Sequence, residues 1–456
     1  EFGNANPENQ YFYISTPSTK NITYTIIHVG QPSSNAISGV VSNSNPVEIS
    51  LGTGYGQLFL ESNQSSVVKK NKGYIIEAED VIYVSLRVEA GGSTAISGDS
   101  PQAGALVSKG LSALGNTFRV GSFTNQNPQT NYMNFVSVMA TEDNTVVKFD
   151  DLPAGLTIKN YTGTFPVIIS LDEGESYTIA TNSSESVINR DGLIGTLVES
   201  DKPIVVNTGS ANGSFHNGGG RDYGIDQIVG YSKVGNEYIF VKGDGNNEWE
   251  NVLIVAHLDN TTISINGNPP IKTINAGEYY LIEGDSYSAK QNMYVTTNNN
   301  VFAYQGIGAN TSEANQGLFF VPPLSCENRG NVNNIANIQS IGTTSYNGGI
   351  TIITNKNSIV TVNSQPISAL PQDVTGNSNY VTYKLSGLTG NVSVASTGEL
   401  YCAYYNFNGA ATSGSFYSGF PSAPEINLNT SVATLGTCIP NITLSSTNTG
   451  IFDQFE

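Results

Sequence analysis

Apolar and polar residues alternate along most of the chain. In "TVVKFD", Val146, Lys148 and Asp150 alternate with Val147 and Phe149, the period of a half-buried strand. The same rhythm returns in "TTISIN" (261–266) and "SIVTVN" (358–363). Each of these strands follows another, "NFVSVMAT", "NVLIVAHL" or "GITIITNK", across a short polar turn. The turns carry Asp143-Asn144, Asp259-Asn260 and Lys356-Asn357. Asp and Asn bond readily to nearby backbone, and Asn tolerates positive φ, so the pairs read as hairpin turns. The third copy keeps the turn-forming Asn and loses the carboxylate, which argues against metal or catalytic duty.

The phrases belong to a longer repeat. "SALGNTFRVGSF" (112–123), "SKVGNEYIFVKG" (232–243) and "QSIGTTSYNGGI" (339–350) precede the three hairpins, with glycines Gly115, Gly235 and Gly342. Later strands also correspond, Gly174-Glu175 matching Gly277-Glu278. A more degenerate copy stands at the N-terminus. Residues 1–420 thus form one repeat domain, with copies near 10–111, 112–231, 232–338 and 339–410. Repeats of this size point to closed or stacked arrays. The expected class is all-β, repeated antiparallel sheets in a propeller-like ring of small blades, seven or eight if each copy splits in two. Tandem β-sandwiches are the alternative. Helix is scarce; "SPQAGALVSKGLSALG" (100–115) reads as a turn or short helix. Residues 421–430, rich in Pro and small residues, read as a linker, and 431–456 as the start of a further β-module.

Composition narrows the class of function. The 456 residues carry a formal charge of −18, which disfavours nucleic acid and anionic membrane surfaces. Charged residues make up 12% and hydrophobic ones 38%, yet 24 Tyr and 18 Phe sit within the alternating runs. That is a β-rich extracellular composition, not a disordered one. The longest apolar run, Val252 to Ala256, is far short of a membrane helix. Cys326, Cys402 and Cys438 fit no metal motif; one disulfide is compatible with export, and the pairing stays open.

Candidate chemistry is sparse. The glycine-rich insert "NGSFHNGGGRDYGIDQ" (212–227) gathers Ser214, His216, Arg221, Asp222 and Asp226. A serine–histidine–aspartate set can be drawn there, but a triad is geometry and not proximity, and no GxSxG or HExxH occurs. His216, Arg221 and Asp222 are therefore candidate ligand contacts in a loop pinned by an Arg–Asp pair. In "KGDGNNEWEN" (242–251), Asp244, Asn246 and Glu248 alternate as calcium ligands can, without the full EF-hand pattern. Trp249, the single tryptophan, either caps a core or stacks on a sugar. No catalytic residue and no cofactor other than calcium is assigned, and the chain is expected not to be an enzyme.

"MATEDNTVVKF", "GTLVESDKPIVVNTGS", "YGIDQIVGYSKVGNEYIFVKG" and "IVAHLDNTTISINGN" together resemble the IgG-Fc-binding-protein N-terminal domain family, from about residue 10 to about 420. "ISTPSTKNITYTI", "FFVPPLSCENRGNVNNI" and "GELYCAYYNFNGAATSGSFYSGFPSAPEI" resemble the version found in large surface proteins of gliding Bacteroidota. The resemblance implies a non-enzymatic adhesion or binding module of a larger exported protein, at the cell surface and associated with the outer membrane. It implies links to gliding motility and type IX secretion. The partners it implies are a glycan, a matrix polymer, a surface protein or components of that machinery, with no direct insertion into the membrane. A structural or assembly subunit and a polysaccharide-acting enzyme are the alternatives; the enzyme needs Asp222, Asp226, Asp244 and Glu248 to converge in a cleft.

Overall fold

The computed structural model describes residues 7–90, 102–128, 132–215, 220–308, 316–325, 328, 330–409, 411–420 and the strands at 426–429 and 443–446. It forms two compact units, residues 1–420 and 421–456. In the second unit, Ile426–Asn429 pairs antiparallel with Thr443–Ser446, so a strand lies inside the segment read as linker.

The first unit contains four copies of one module. Blade 1 comprises β1 (Pro7–Ser15), β2 (Ile22–His28), β3 (Ile37–Val41), β4 (Val47–Gly52), β5 (Tyr74–Ala78), β6 (Tyr83–Ala90) and β7 (Gln102–Val107). Blade 2 comprises β8 (Gly115–Arg119), β9 (Met133–Ala140), β10 (Thr145–Asp150), β11 (Val167–Leu171), β12 (Ser176–Asn182), β13 (Leu197–Gly213) and β14 (Asp222–Ile228). Blade 3 comprises β15 (Gly235–Val241), β16 (Asn251–Ala256), β17 (Thr261–Ile265), β18 (Lys272–Ile274), β19 (Tyr279–Ile282), β20 (Asn292–Gly308) and β21 (Gln316–Phe320). Blade 4 comprises β22 (Asn331–Ile335), β23 (Ser340–Ile341), β24 (Thr344–Ser345), β25 (Asn347–Asn355), β26 (Val360–Val362), β27 (Gln365–Pro366), β28 (Gln372–Val374), β29 (Asn377–Leu388), β30 (Val392–Ser396), β31 (Leu400–Asn408) and β32 (Ala411–Phe416).

Each module stacks two sheets. In blade 2 the first part of β13 pairs with β8 and β10, and its second part with β9 and β14. Strand β20 does the same in blade 3, Asn292–Thr297 serving β15 and β17 while Val301–Gly308 serves β16 and β21. The change of sheet falls at Asp201-Lys202-Pro203 and at Asn298-Asn299-Asn300. There the side chains of Asp201 and Asn298 accept the N–H groups of Val146 and Thr262, at 2.8 and 2.7 Å. In blades 1 and 4 the same strand is broken in two, as β5/β6 and β30/β31.

The innermost strands β7, β14, β21 and β32 pack side by side in a closed square, each against its two neighbours. The fold is a four-bladed β-propeller in which each blade is itself a two-layer sandwich. The expected seven or eight blades are four, because the two halves of each repeat stack as layers of one blade. Residues 102–107, read as part of a turn or helix, are inner strand β7, followed by a single 3-10 turn at Gly110–Ala113. The described residues contain no α-helix. Gly115 and Gly235 open β8 and β15, but Gly342 lies between β23 and β24; the corresponding strand of blade 4 is the earlier β22.

So small a ring needs close approach at its centre. A Cβ added to Gly104 would sit 2.5 Å from the Tyr223 Cβ, and one on Gly224 would sit 2.9 Å from the Leu318 Cβ. Glycine removes that obstacle. The ring closes between its first and last blades through Arg87, which is completely buried. Its guanidinium donates to the carbonyls of Ala336, Asn337 and Ser340 at 2.6–2.9 Å. It also lies over the rings of Tyr13 and Tyr404, 4.0 and 4.9 Å from their centroids. Carbonyl dipoles and π faces here do what a carboxylate would do for a buried cation.

Candidate functional site

The inner strands begin together at one end of the axis, here called the head. The four strand pairs β6–β7, β13–β14, β20–β21 and β31–β32 all reach that end, where Ala90 faces Gln102, Gly213 faces Asp222, Gly308 faces Gln316 and Asn408 faces Ala411. Gly213 and Asp222, of the insert 212–227, face each other at the head, and the loop 242–250 reaches the same end, where Asp244 N–H bonds to the Gly308 carbonyl at 3.2 Å.

Strand β14 supplies two axial acids. Asp222 is fully buried, and its carboxylate accepts the N–H groups of Ala103, Tyr223 and Thr412 at 2.5, 3.0 and 2.6 Å. It thereby joins the inner strands of blades 1, 2 and 4. Burial raises its pKa well above the ordinary carboxylate range, with those three donors working against the shift. Four residues along, Asp226 accepts from Lys109 Nζ at 3.0 Å, Phe320 N–H at 2.9 Å, Gln227 N–H at 2.8 Å and the Ser415 hydroxyl at 3.1 Å. All four blades meet at that carboxylate. Burial pushes the Asp226 pKa up and the Lys109 pKa down, each opposed by the charge of the other. At the tail of the axis, Phe420 stacks on Phe320 with centroids 5.5 Å apart and lies under the Lys109 ammonium.

The loop 242–250 is built around another buried acid. Glu250 accepts the N–H groups of Gly243, Gly245 and Gly308 at 2.8, 2.8 and 3.0 Å. Burial pushes its pKa up to about 8 against those donors and against Lys384. Asp244 is held by Lys384 at 2.8 Å, while Asn246 and Glu248 are exposed.

These positions revise the expectations for individual residues. Asp222 and Trp249 are 0% and 3% exposed, so neither presents itself to a ligand; Trp249 caps the core and does not stack on a sugar. Arg221 Nη1 donates to the Tyr132 hydroxyl at 3.1 Å, and its guanidinium lies 5.6 Å from that ring's centroid. Among the described residues no group of three or more His, Cys, Asp or Glu is arranged to hold a metal ion. Asp244 spends its charge on Lys384 instead. Asp222, Asp226, Asp244 and Glu248 share no cleft: the first two are sealed in the axis, the third is paired and the fourth is exposed. His216, Cys326 and Cys438 lie outside the described residues, and Cys402 is a buried free thiol.

The reading missed the partners Lys109, Arg87 and Ser415. For Arg87 in β6 and Lys109 just after β7 the only signal was a charge beside apolar or small residues, in a chain with just 19 Lys and Arg, and the uncharged Ser415 carried none. Asp143 and Asp259 are turn residues, as the repeat implied. Each accepts a backbone N–H, from Glu173 and Ala276 respectively, both at 3.0 Å.

The family model described as IgGFc binding protein matches residues 104–406, from inner strand β7 through blades 2 and 3 and into β31 of blade 4. The chain belongs to the IgGFc binding protein family. That membership marks it as a binding module. No curated protein matches the chain. Among solved structures, an anti-sigma factor domain-containing protein from Clostridium clariflavum aligns over 90% of this chain and 97% of its own, at 9% identity and a TM-score of 0.12. No helix among the described residues is long and apolar enough to cross a membrane.

Proposed function

We propose that the protein is a non-enzymatic, extracellular binding module that recognises a protein partner, and that it works as an adhesin at the bacterial cell surface. The observation that carries the choice of binding over catalysis is the use made of its acids. Asp222, Asp226 and Glu250 have both carboxylate oxygens engaged by backbone or side-chain donors inside the ring. Such groups hold strands together and are shut off from any substrate. A rigid scaffold with irregular connections at one end is how β-propellers present a recognition surface. The resemblance of the strand wording to gliding-associated surface proteins supports outer-membrane association, type IX export and a part in gliding. A surface protein is the favoured ligand over a glycan or matrix polymer, because the family reading is one of protein binding. Calcium has no assigned role.

The test uses the intact chain, immobilised, against a glycan array, mucin- and collagen-coated surfaces, and envelope proteins of the producing cell. Saturable binding to a protein surface is the expected result. Silence on every surface from folded protein, or turnover of a polysaccharide or peptide substrate, would overturn the proposal.

A further inference from the structure

The contact between Lys109 and Asp226 at the axis brings together the two halves of an amide. Lys109 follows β7 and Asp226 lies on β14, 117 residues apart. Nζ is 3.0 Å from Oδ1, and the side chains are 1% and 0% exposed. In the other described lysine–carboxylate pairs the lysine is 28–77% exposed. Such pairs stay ionised in water, and an ammonium has no lone pair with which to attack. At the axis, burial works against both charges. Moving one proton from Nζ to the carboxylate leaves a free amine beside a neutral acid.

The surroundings suit a reaction between the two. The Ser415 hydroxyl oxygen accepts from Lys109 Nζ at 2.9 Å and lies 3.1 Å from both oxygens of Asp226. It is placed to take a proton from the amine and return its own to the carboxyl group. Phe320 N–H donates to Oδ2 at 2.9 Å, where charge gathers in a tetrahedral intermediate. The Phe420 ring, its centroid 5.2 Å from Nζ, stacks on Phe320 and keeps bulk water from the pair. Groups held in contact react as if at about 10⁵–10⁸ M, far above the concentration of competing water.

We infer that Lys109 and Asp226 condense in the folded chain to an intramolecular amide, with Ser415 as the proton relay. The first proton passes from Nζ to Oδ1, and Nζ then attacks Cγ of the neutral carboxyl group. A second Nζ proton passes through the Ser415 hydroxyl to Oδ1, the Cγ–Oδ1 bond breaks and one water leaves. Oδ2 stays as the amide oxygen on the Phe320 N–H. Nothing is oxidised or reduced, and no co-reactant is consumed. The ion pair is what folding assembles, and condensation follows it slowly. The product closes a covalent loop that holds strands β8 to β14 of blade 2 and ties it to the end of β7 in blade 1.

Intact-mass spectrometry of the full chain, held folded for a week at neutral pH, tests this whatever the protein binds. The expected chain is one water lighter than its sequence. Its digest contains a branched peptide that joins the Lys109 and Asp226 segments and survives reduction. The same chain held in urea keeps its full mass, because only the fold brings the two residues together. Lys109→Arg keeps the cation and forms no branched peptide. Ser415→Ala slows the loss of water by about a hundredfold or more. Full sequence mass in the folded, unmutated chain overturns the inference. So does a missing water that maps to a cyclised Glu1, or to a succinimide at Asp191 or Asp244, each followed by glycine. A branched peptide that forms in Ser415→Ala at the unmutated rate overturns the relay. The deciding readouts use the unmutated chain, so a variant that fails to fold leaves the test intact.

Discussion

Lys109 and Asp226 meet at the centre of the ring, Nζ 3.0 Å from Oδ1, with side chains 1% and 0% exposed. Two charges so deep are stable only together. Removing one leaves the other buried without compensation, at a cost of about 3–5 kcal/mol. Asp226→Leu and Lys109→Met are each expected to lower the unfolding free energy by that amount, read from urea titrations. The double variant Lys109→Met/Asp226→Leu is expected to lose less than either single one, because no stranded charge remains. Additive losses in the cycle would show that the pair does not hold the blades together through its charge.

The glycines of the inner strands set the size of the ring. A methyl group on Gly104 collides with Tyr223 at 2.5 Å, across the contact between blades 1 and 2. Neither strand can retreat without opening the square. Gly104→Ala is expected to cost about 1–3 kcal/mol, as overpacking does elsewhere. Gly56, with nothing within 4 Å of the added atom, supplies the control, and Gly56→Ala is expected to be close to neutral. Thermal unfolding of the two variants makes the comparison.

The repeated turns offer a finer test. Asn144, Asn260 and Asn357 all adopt positive φ, at 55°, 55° and 70°. A β-branched residue is strained there, and Asn144→Val is expected to cost about 1–2 kcal/mol where Asn144→Gly is nearly neutral. Asp143→Ala removes one accepted N–H bond and is expected to cost about 1 kcal/mol. Denaturant midpoints for the three variants check the order.

These turns also mark how far the sequence could be read. A two-residue period and an Asn that tolerates positive φ are local properties, so strands and turns were legible residue by residue. The partner of a strand is not local. The stretch "GTLVESDKPIVVNTGS" looks like two strands divided at Pro203, yet from Leu197 onward it is the single strand β13, bent there between two sheets. That single ambiguity doubled the expected number of blades. The site was harder still. Asp222 looks like any loop acid until the ring closes and surrounds it with the N–H groups of Ala103 and Thr412, 119 and 190 residues away. Its role is created by long-range packing, and no window of sequence contains it.

Trp249 and Glu250 stand side by side and report on the same loop. Trp249, the only tryptophan, is 3% exposed, so its emission should be blue-shifted and resistant to iodide. A fully quenchable signal would show that the loop is open in solution. Glu250, with its pKa pushed up to about 8 from 4.5, holds a proton in the folded chain that the unfolded chain releases. The folded state then binds more protons between those values, so stability falls as pH rises through that window. Asp222 and Asp226, also raised by burial, act in the same direction. Asp150, Glu175 and Asp373 have lowered pKa values and act oppositely, since what they contribute is lost as pH falls through the acid range. Maximum stability is therefore expected on the mildly acidic side of neutrality. Glu250→Gln should flatten the decline toward pH 8 whatever it does to absolute stability, since the amide brings an N–H toward donors already in place. A series of melting temperatures at fixed ionic strength reads both slopes. Equal slopes for the two proteins would mean that Glu250 titrates as an ordinary exposed carboxylate and that the three backbone N–H groups keep it ionised throughout.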